Sequence, residues 1–282
     1  MSALRQGLAW LRGLRLSRLE RAAYALVVVW ALAMISVPIQ RWTLGDSALP
    51  FGVTLGALLQ AAAAVLVLAA GLGARRALIV AAVTVVAAWV IEFIGSSTGF
   101  PFGPYHYTDK LQPQIGGVPL LVPVAWMMLM PSAWALAALL TRGRSRAAFV
   151  LASMLIFTAW DLFLDPQMVG WGFWQFDHTT GFTYFGIPWT NYGGWLLSSA
   201  AISALALVAG LRPERIPVVP ALVIYAVVWF LQTVGLVVFW GLPGPGIVGT
   251  IAMGIPMVLA ARRVWAGRSR DAAQPGAPPN RP

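Results

Sequence analysis

"AAFVLASMLIFTAWDLFLDPQMVGWGFWQF" (residues 147–176) joins two messages that conflict. The run 147–160 carries no charge and reads as a helix buried in lipid, where about 20 apolar residues make one crossing. It ends on Asp161 and Asp165. A carboxylate in hydrocarbon is disfavoured by roughly 2.5–3.5 kcal/mol on insertion scales. Spacing i, i+4 puts both acids on one helix face, with Asp161 one turn, about 5.4 Å, deeper. Asp165 precedes Pro166, which places it at the expected end of the helix. Each acid has a structural reading, as a polar tie to an indole or a helix end, and a chemical one.

Composition settles the class. Of 282 residues, 59% are hydrophobic and 10% charged, and the mean hydropathy is +0.77. Soluble domains carry about 25% charged residues, so this is an integral membrane protein. The 14 Trp and 20 Pro agree with that class, since indoles gather at interfaces and membrane helices tolerate proline. Cysteine is absent, which excludes disulfides, thiolate metal sites and cysteine nucleophiles. The net charge of +10 does not point to nucleic acid. Seventeen of the 19 basic residues fall in alternate segments, around Arg5–Arg21, Arg75–Arg76, Arg142–Arg146, Arg212–Arg215 and Arg262–Arg281, leaving Arg41 and Lys110 in the intervening loops. That is the positive-inside pattern, so the charge describes topology.

Apolar runs able to span fall near 21–39, 51–72, 77–95, 117–140, 147–165, 189–210, 216–240 and 245–264. The expected fold is all-α: a polytopic bundle of about eight transmembrane helices in the cell membrane, with both termini cytoplasmic and two long outer loops. Residues 1–20 form a basic amphipathic segment for the membrane face. Residues 21–264 form one transmembrane domain, and 265–282 a disordered tail. No small-residue cleavage site follows the first apolar run, so the first helix is expected to be retained.

The two outer loops, 96–116 and 166–188, resemble each other. One holds "YHYTD" (105–109) and "GVPLLVPVAW" (117–126); the other holds "FWQFD" (173–177) and "GIPWTNYGGW" (186–195). Both run aromatic-x-x-x-Asp, then Gly-[Val/Ile]-Pro-x6-Trp, and each follows a helix with acid at its outer end. Residues 77–140 and 147–210 therefore read as a parallel repeat, an arrangement that often encloses a site. "GFWQFDHTTGFTYFGI" (172–187) alternates around Thr179-Thr180-Gly181 and suggests a short β-hairpin lid.

Five of the nine acids, Glu92, Asp109, Asp161, Asp165 and Asp177, belong to the outer half of these repeats. Two neighbouring carboxyl groups in low dielectric cannot both stay ionised, so the pair can hold a proton and act as an acid. Glu92 could instead anchor its helix at the interface. His106 and His178 lie in loops beside aromatics without the HxxxH or HxxE spacing of a metal site, so no metal is expected. No GxGxxG, P-loop or GxSxG motif is present. "GLPGPGIVG" (241–249) reads as a turn into a helix. Aromatics crowd the same outer half. An interfacial belt explains many of them, but aromatic faces also stabilise cations. Acid plus aromatic lining suits a carbocation reaction on a lipid-soluble alkene.

"TGFPFGPYHYTD" (98–109), "GVPLLVPVAWMM" (117–128), "WDLFLDPQMV" (160–169) and "FGIPWTNYGGW" (185–195), with Glu92 just upstream, resemble the CruF-type carotenoid 1,2-hydratases, which include the bisanhydrobacterioruberin hydratases. The resemblance covers residues 85–210 firmly. It implies hydration of the terminal C1=C2 double bond of a carotenoid ψ-end, without a cofactor, to a tertiary alcohol. The partners it implies are water, membrane lipid and a carotenoid: lycopene-like, γ-carotene-like or a longer bacterioruberin precursor. Association with other carotenoid-pathway enzymes is a further expectation. For that chemistry Asp161 is the expected general acid, Asp165 its hydrogen-bonded pair, and Glu92 the group that orients or deprotonates water. Tyr105, His106 and Asn191 would complete the polar network, and Trp126, Trp160, Trp174 and Trp195 would line the cationic end.

Three rivals remain. The Asp-x-x-x-Asp spacing is similar to UbiA-type prenyltransferases, but Phe157 stands where that family has Asn, and a second such motif is missing. A carotenoid end cyclase shares the protonation step. A non-catalytic carotenoid-binding protein would need neither acid. A retinal photoreceptor is disfavoured because the single lysine, Lys110, lies in a loop.

Overall fold

The computed structural model describes residues 16–142, 144–177 and 181–273, with side chains through residue 267. Among the described residues, eight helices are long and apolar enough to cross a membrane. They are α1 (Arg18–Leu44), α2 (Leu49–Leu72), α3 (Ala74–Thr98), α4 (Leu121–Thr141), α5 (Arg146–Gly170), α6 (Trp189–Val208), α7 (Val218–Val234) and α8 (Pro243–Ala273). A π-helical turn, Gly235–Phe239, extends α7. Ser17 caps α1 in a reciprocal box with Glu20, satisfying two backbone donors that a helix start leaves free.

Helices α3, α4, α5 and α6 pack as a closed ring, with α6 returning to α3; α1–α2 and α7–α8 flank it, and α1 meets α7. The most enclosed helix is α4, which brings Trp126, Leu129, Met130 and Trp134 into the core. The Trp134 indole donates to Ser203 Oγ on α6 at 3.0 Å, which satisfies a polar atom that lipid could not. Large side chains such as Val28, Leu32, Phe51 and Leu58 face outward, as the lipid-facing surface of a bundle requires.

Three pairings of short strands order the loops. Strand β1 (Tyr105–Tyr107) pairs antiparallel with β4 (Trp174–Phe176), His106 opposite Gln175. The pairs β2 (Gln114–Ile115) with β3 (Val118–Pro119), and β5 (Thr183–Tyr184) with β6 (Ile187–Pro188), are tight hairpins. The expected hairpin around 179–181 is therefore corrected. Alternation shows that 173–177 is extended but cannot name its partner. Trp174 and Phe176 pair with the other loop, because that ladder buries the aromatics of both loops together. Thr179 and Thr180 lie outside the described residues.

Two helix ends also differ from expectation. Helix α5 runs past Pro166 to Gly170, so Asp165 sits inside the helix. Proline removes the N–H that would bind the carbonyl four residues back, here Leu162, and the Tyr184 hydroxyl donates to that carbonyl at 3.1 Å. Helix α8 continues to Ala273, so residues 265–273 are helical rather than part of a tail. The remaining tail and residues 1–15 lie outside the described residues.

Candidate active site

The two helix–loop–helix units, α3 to α4 and α5 to α6, each hold their own acid in the same manner. Glu92 is buried on the last turns of α3. Tyr105 and Tyr107 alternate along β1, so both project to one side, and each donates its hydroxyl to Glu92 Oε2 at 2.6 Å. From α4, the Trp126 indole donates to Glu92 Oε1 at 3.0 Å. In the second unit, Trp174 of β4 donates its indole N–H to Asp165 Oδ1 at 3.0 Å. From α6, the Asn191 amide donates to Asp161 Oδ2 at 3.1 Å and also to Asp165 Oδ2. The two aspartates therefore share one donor, the Asn191 amide nitrogen. Glu92 and Asp165 are thus each fixed by one donor set from the loop strand and another from the following helix, whereas Asp161 accepts from Asn191 alone.

Glu92 is the acceptor in each of its three side-chain bonds, the pattern of a carboxylate. Its tyrosine partners lie in the loop. Burial first, and then the Glu92 charge, hold both hydroxyls well above the ordinary tyrosine value, so they stay donors. Asp161 and Asp165, by contrast, are two buried carboxyl groups sharing one amide donor, and such a pair cannot stay doubly ionised in low dielectric. The two units therefore present different faces: one a carboxylate saturated with donors, the other a pair able to hold a proton.

Between them lies a cavity of about 490 Å³. Trp126 and Trp195, which close the two Gly-[Val/Ile]-Pro-x6-Trp motifs, stack on one another at 4.6 Å and 13°. Trp160 meets Trp195 edge-on at 6.0 Å. All three line the cavity, with Glu92, Tyr105, Tyr107, Asp165, Trp174 and Asn191. Phe102 packs into the notch left by Gly95 and Gly194. A Cβ on Gly194 would stand 2.5 Å from the Phe102 ring and 2.8 Å from the Pro101 carbonyl.

Two expected site residues move. Asp161 is 0% exposed and is not part of the cavity wall, whereas Asp165 is. The two acids share one helix face, and the one that reaches the wall, with Leu164 and Met168, is Asp165, one turn nearer the loops. His106 points away from the cavity. It is the middle residue of β1, so alternation sends it to the face opposite Tyr105 and Tyr107, where its Nδ1 meets Asp177 at 2.5 Å. His178 lies outside the described residues. Tyr107 is the donor that motif reading passed over, although its period-two relation to Tyr105 was visible. Gln60 and Gln167, both buried and lining the cavity, carried no sequence signal.

The sequence profile described as "Carotenoid biosynthesis protein" matches residues 52–256, which takes in both units and the acids. The chain belongs to the carotenoid biosynthesis protein family. Among relatives of this carotenoid biosynthesis protein is the bisanhydrobacterioruberin hydratase of Haloarcula japonica, 37% identical over 113 residues. That alignment covers 39% of this chain and spans 38% of the relative's length. No solved structure matches the chain.

Proposed function

We propose that this carotenoid biosynthesis protein is a hydratase that adds water to the terminal C1=C2 double bond of a carotenoid ψ-end. The observation that carries this reading is the pair of unlike acid sites facing one apolar, indole-lined cavity. The name of the similar hydratase supports it.

Asp165, the acid in the cavity wall, is assigned the proton transfer. Its O–H bond breaks, the alkene π pair forms the C2–H bond, and a tertiary cation is left at C1. Trp126, Trp160 and Trp195 offer π faces and edges around that end, and a desolvated cation over an aromatic face gains about 2 kcal/mol or more. Water attacks C1 and gives up a proton to Glu92, which its three donors hold in place. Return of that proton to the aspartate pair closes the cycle, so the sum is alkene plus water to tertiary alcohol. Asp161 shares the Asn191 donor with Asp165 and acts as a positioning residue. In this reading the acid face is the extracytoplasmic one, because the arginines mark the opposite face as cytoplasmic.

Expression in a lycopene-producing host, with pigments analysed by mass, tests the reading. A product heavier by one water is expected. An isomer of unchanged mass would identify a cyclase instead, and unaltered pigment beside a membrane-inserted protein would refute both.

A further inference from the structure

The cavity is open on one side. Its walls include Ile35, Ile39 and Trp42 of α1, and Phe230 and Phe239 at the end of the bundle formed by α7 and its π-helical turn. The same side chains are 37–67% exposed, on a surface where neighbouring side chains face lipid. They face the cavity and the hydrocarbon together, so they form a mouth.

Both walls are irregular at that level. Pro38 lies within α1, and α7 gives way to the π-helical turn. Such features open the backbone where a straight helix would pack shut. The outer rim is bridged by an edge-to-face contact of Trp42 with Phe239, 5.7 Å between ring centroids, and by Arg41 over Trp240 at 5.6 Å. The mouth lies in the half of the membrane that holds Glu92 and Asp165.

The cavity is also short. On α1 it reaches only from Trp30 to Trp42, about 18 Å of helix at 1.5 Å per residue. A rigid all-trans C40 polyene is about as long as the ~30 Å hydrocarbon core.

Resting on the hydratase reading, we infer that the substrate enters sideways from the bilayer between α1 and α7, one end at a time, with the rest of its polyene left in lipid. An indole–phenyl rim that closes on a polyene, and apolar walls continuous with the membrane, suit that occupant. A consequence follows for a carotenoid with two ψ-ends. The first end must withdraw before the second can be hydrated, so the singly hydrated product is released into the membrane.

The chain has no cysteine, so a pair introduced at the rim reports cleanly. In Trp42→Cys/Phe239→Cys, cross-linking by a short bis-methanethiosulfonate reagent, which bridges two thiols through reducible disulfides, is expected to lower product formation at least tenfold relative to the same protein reduced, with recovery on adding reductant. Equal rates in the two redox forms would overturn the route. The hydratase reading is judged on the reduced protein and the route on the ratio, so the two fail separately. If the reduced variant does not hydrate, the same ratio is read on carotenoid taken up by the purified protein. For the wild type, a time course with a symmetric substrate should show the singly hydrated species first, free in the lipid. Doubly hydrated product from the earliest points, without that intermediate, would contradict entry by one end.

Discussion

Asp165→Asn and Asp161→Asn should separate sharply. Both substitutions keep the volume of the side chain, and both leave an amide oxygen able to accept from Asn191, so the fold around α5 and α6 should survive either. Only Asp165 reaches the cavity wall, and an amide there has no acid proton to give. Loss of a general acid costs typically 10²–10⁴-fold, or about 2.7–5.4 kcal/mol of barrier. Asp161→Asn weakens the charge-assisted contact with Asn191, the donor that Asp165 shares; such a contact is worth about 1.5–3 kcal/mol, which converts to roughly a 10–100-fold loss. Hydrated pigment per unit of membrane-inserted protein, measured by mass spectrometry in a carotenoid-producing host, gives the comparison. An Asp161→Asn variant as impaired as Asp165→Asn, or more so, would refute the assignment of the proton to Asp165.

Other substitutions probe the scaffold around the site. Tyr105→Phe and Tyr107→Phe each remove a 2.6 Å bond to Glu92; with about 1.5–3 kcal/mol at stake, each should lower product formation roughly 10–100-fold, and equal activity of the double variant and wild type would show that Glu92 needs neither. Tyr184→Phe leaves the Leu162 carbonyl beside Pro166 without its donor, so thermal unfolding in detergent should shift by the equivalent of about 1–3 kcal/mol, while rate per folded protein stays near wild type. Gly194→Ala drives a Cβ into Phe102 and the Pro101 carbonyl, a backbone collision that should cost about 1–3 kcal/mol and displace the loop beside Glu92; an unchanged unfolding temperature would show that the α3–α6 contact is looser than this.

Much of the molecule is written in local pattern. Eight apolar runs became eight helices because a backbone in lipid has to satisfy its own hydrogen bonds, and a helix does so without help from the rest of the chain. The alternating arginines and the clustering of acids at the other face are properties of composition along the chain. The matched pair of loop motifs was legible for the same reason; spacing drew attention to Glu92 and Asp165, and the family resemblance added Tyr105, Asn191 and four indoles that line the cavity.

What escaped was everything that depends on which groups meet. The alternation of "FWQFD" (173–177) required a strand, but its partner 69 residues away depended on how two loops cover one cavity. Pro166 signalled a helix end, until Tyr184 from a distant hairpin supplied the missing partner of Leu162. The aspartates were both visible. Their ranking was not, because both share one helix face and the packing of other segments along that face decides which one reaches the cavity. His106 carried the chemistry of a site residue, yet strand alternation turned it to the outer face. The sequence by itself determined a membrane bundle with two acid-bearing units and their family, since hydropathy, charge order and motifs are local to the chain. Only the tertiary structure decided that one unit presents a carboxylate saturated with donors and the other two acids on one shared donor, and that α1 and α7 contribute walls to the cavity between them. Those facts arise from packing between segments far apart in sequence, where no periodicity or spacing records the contact.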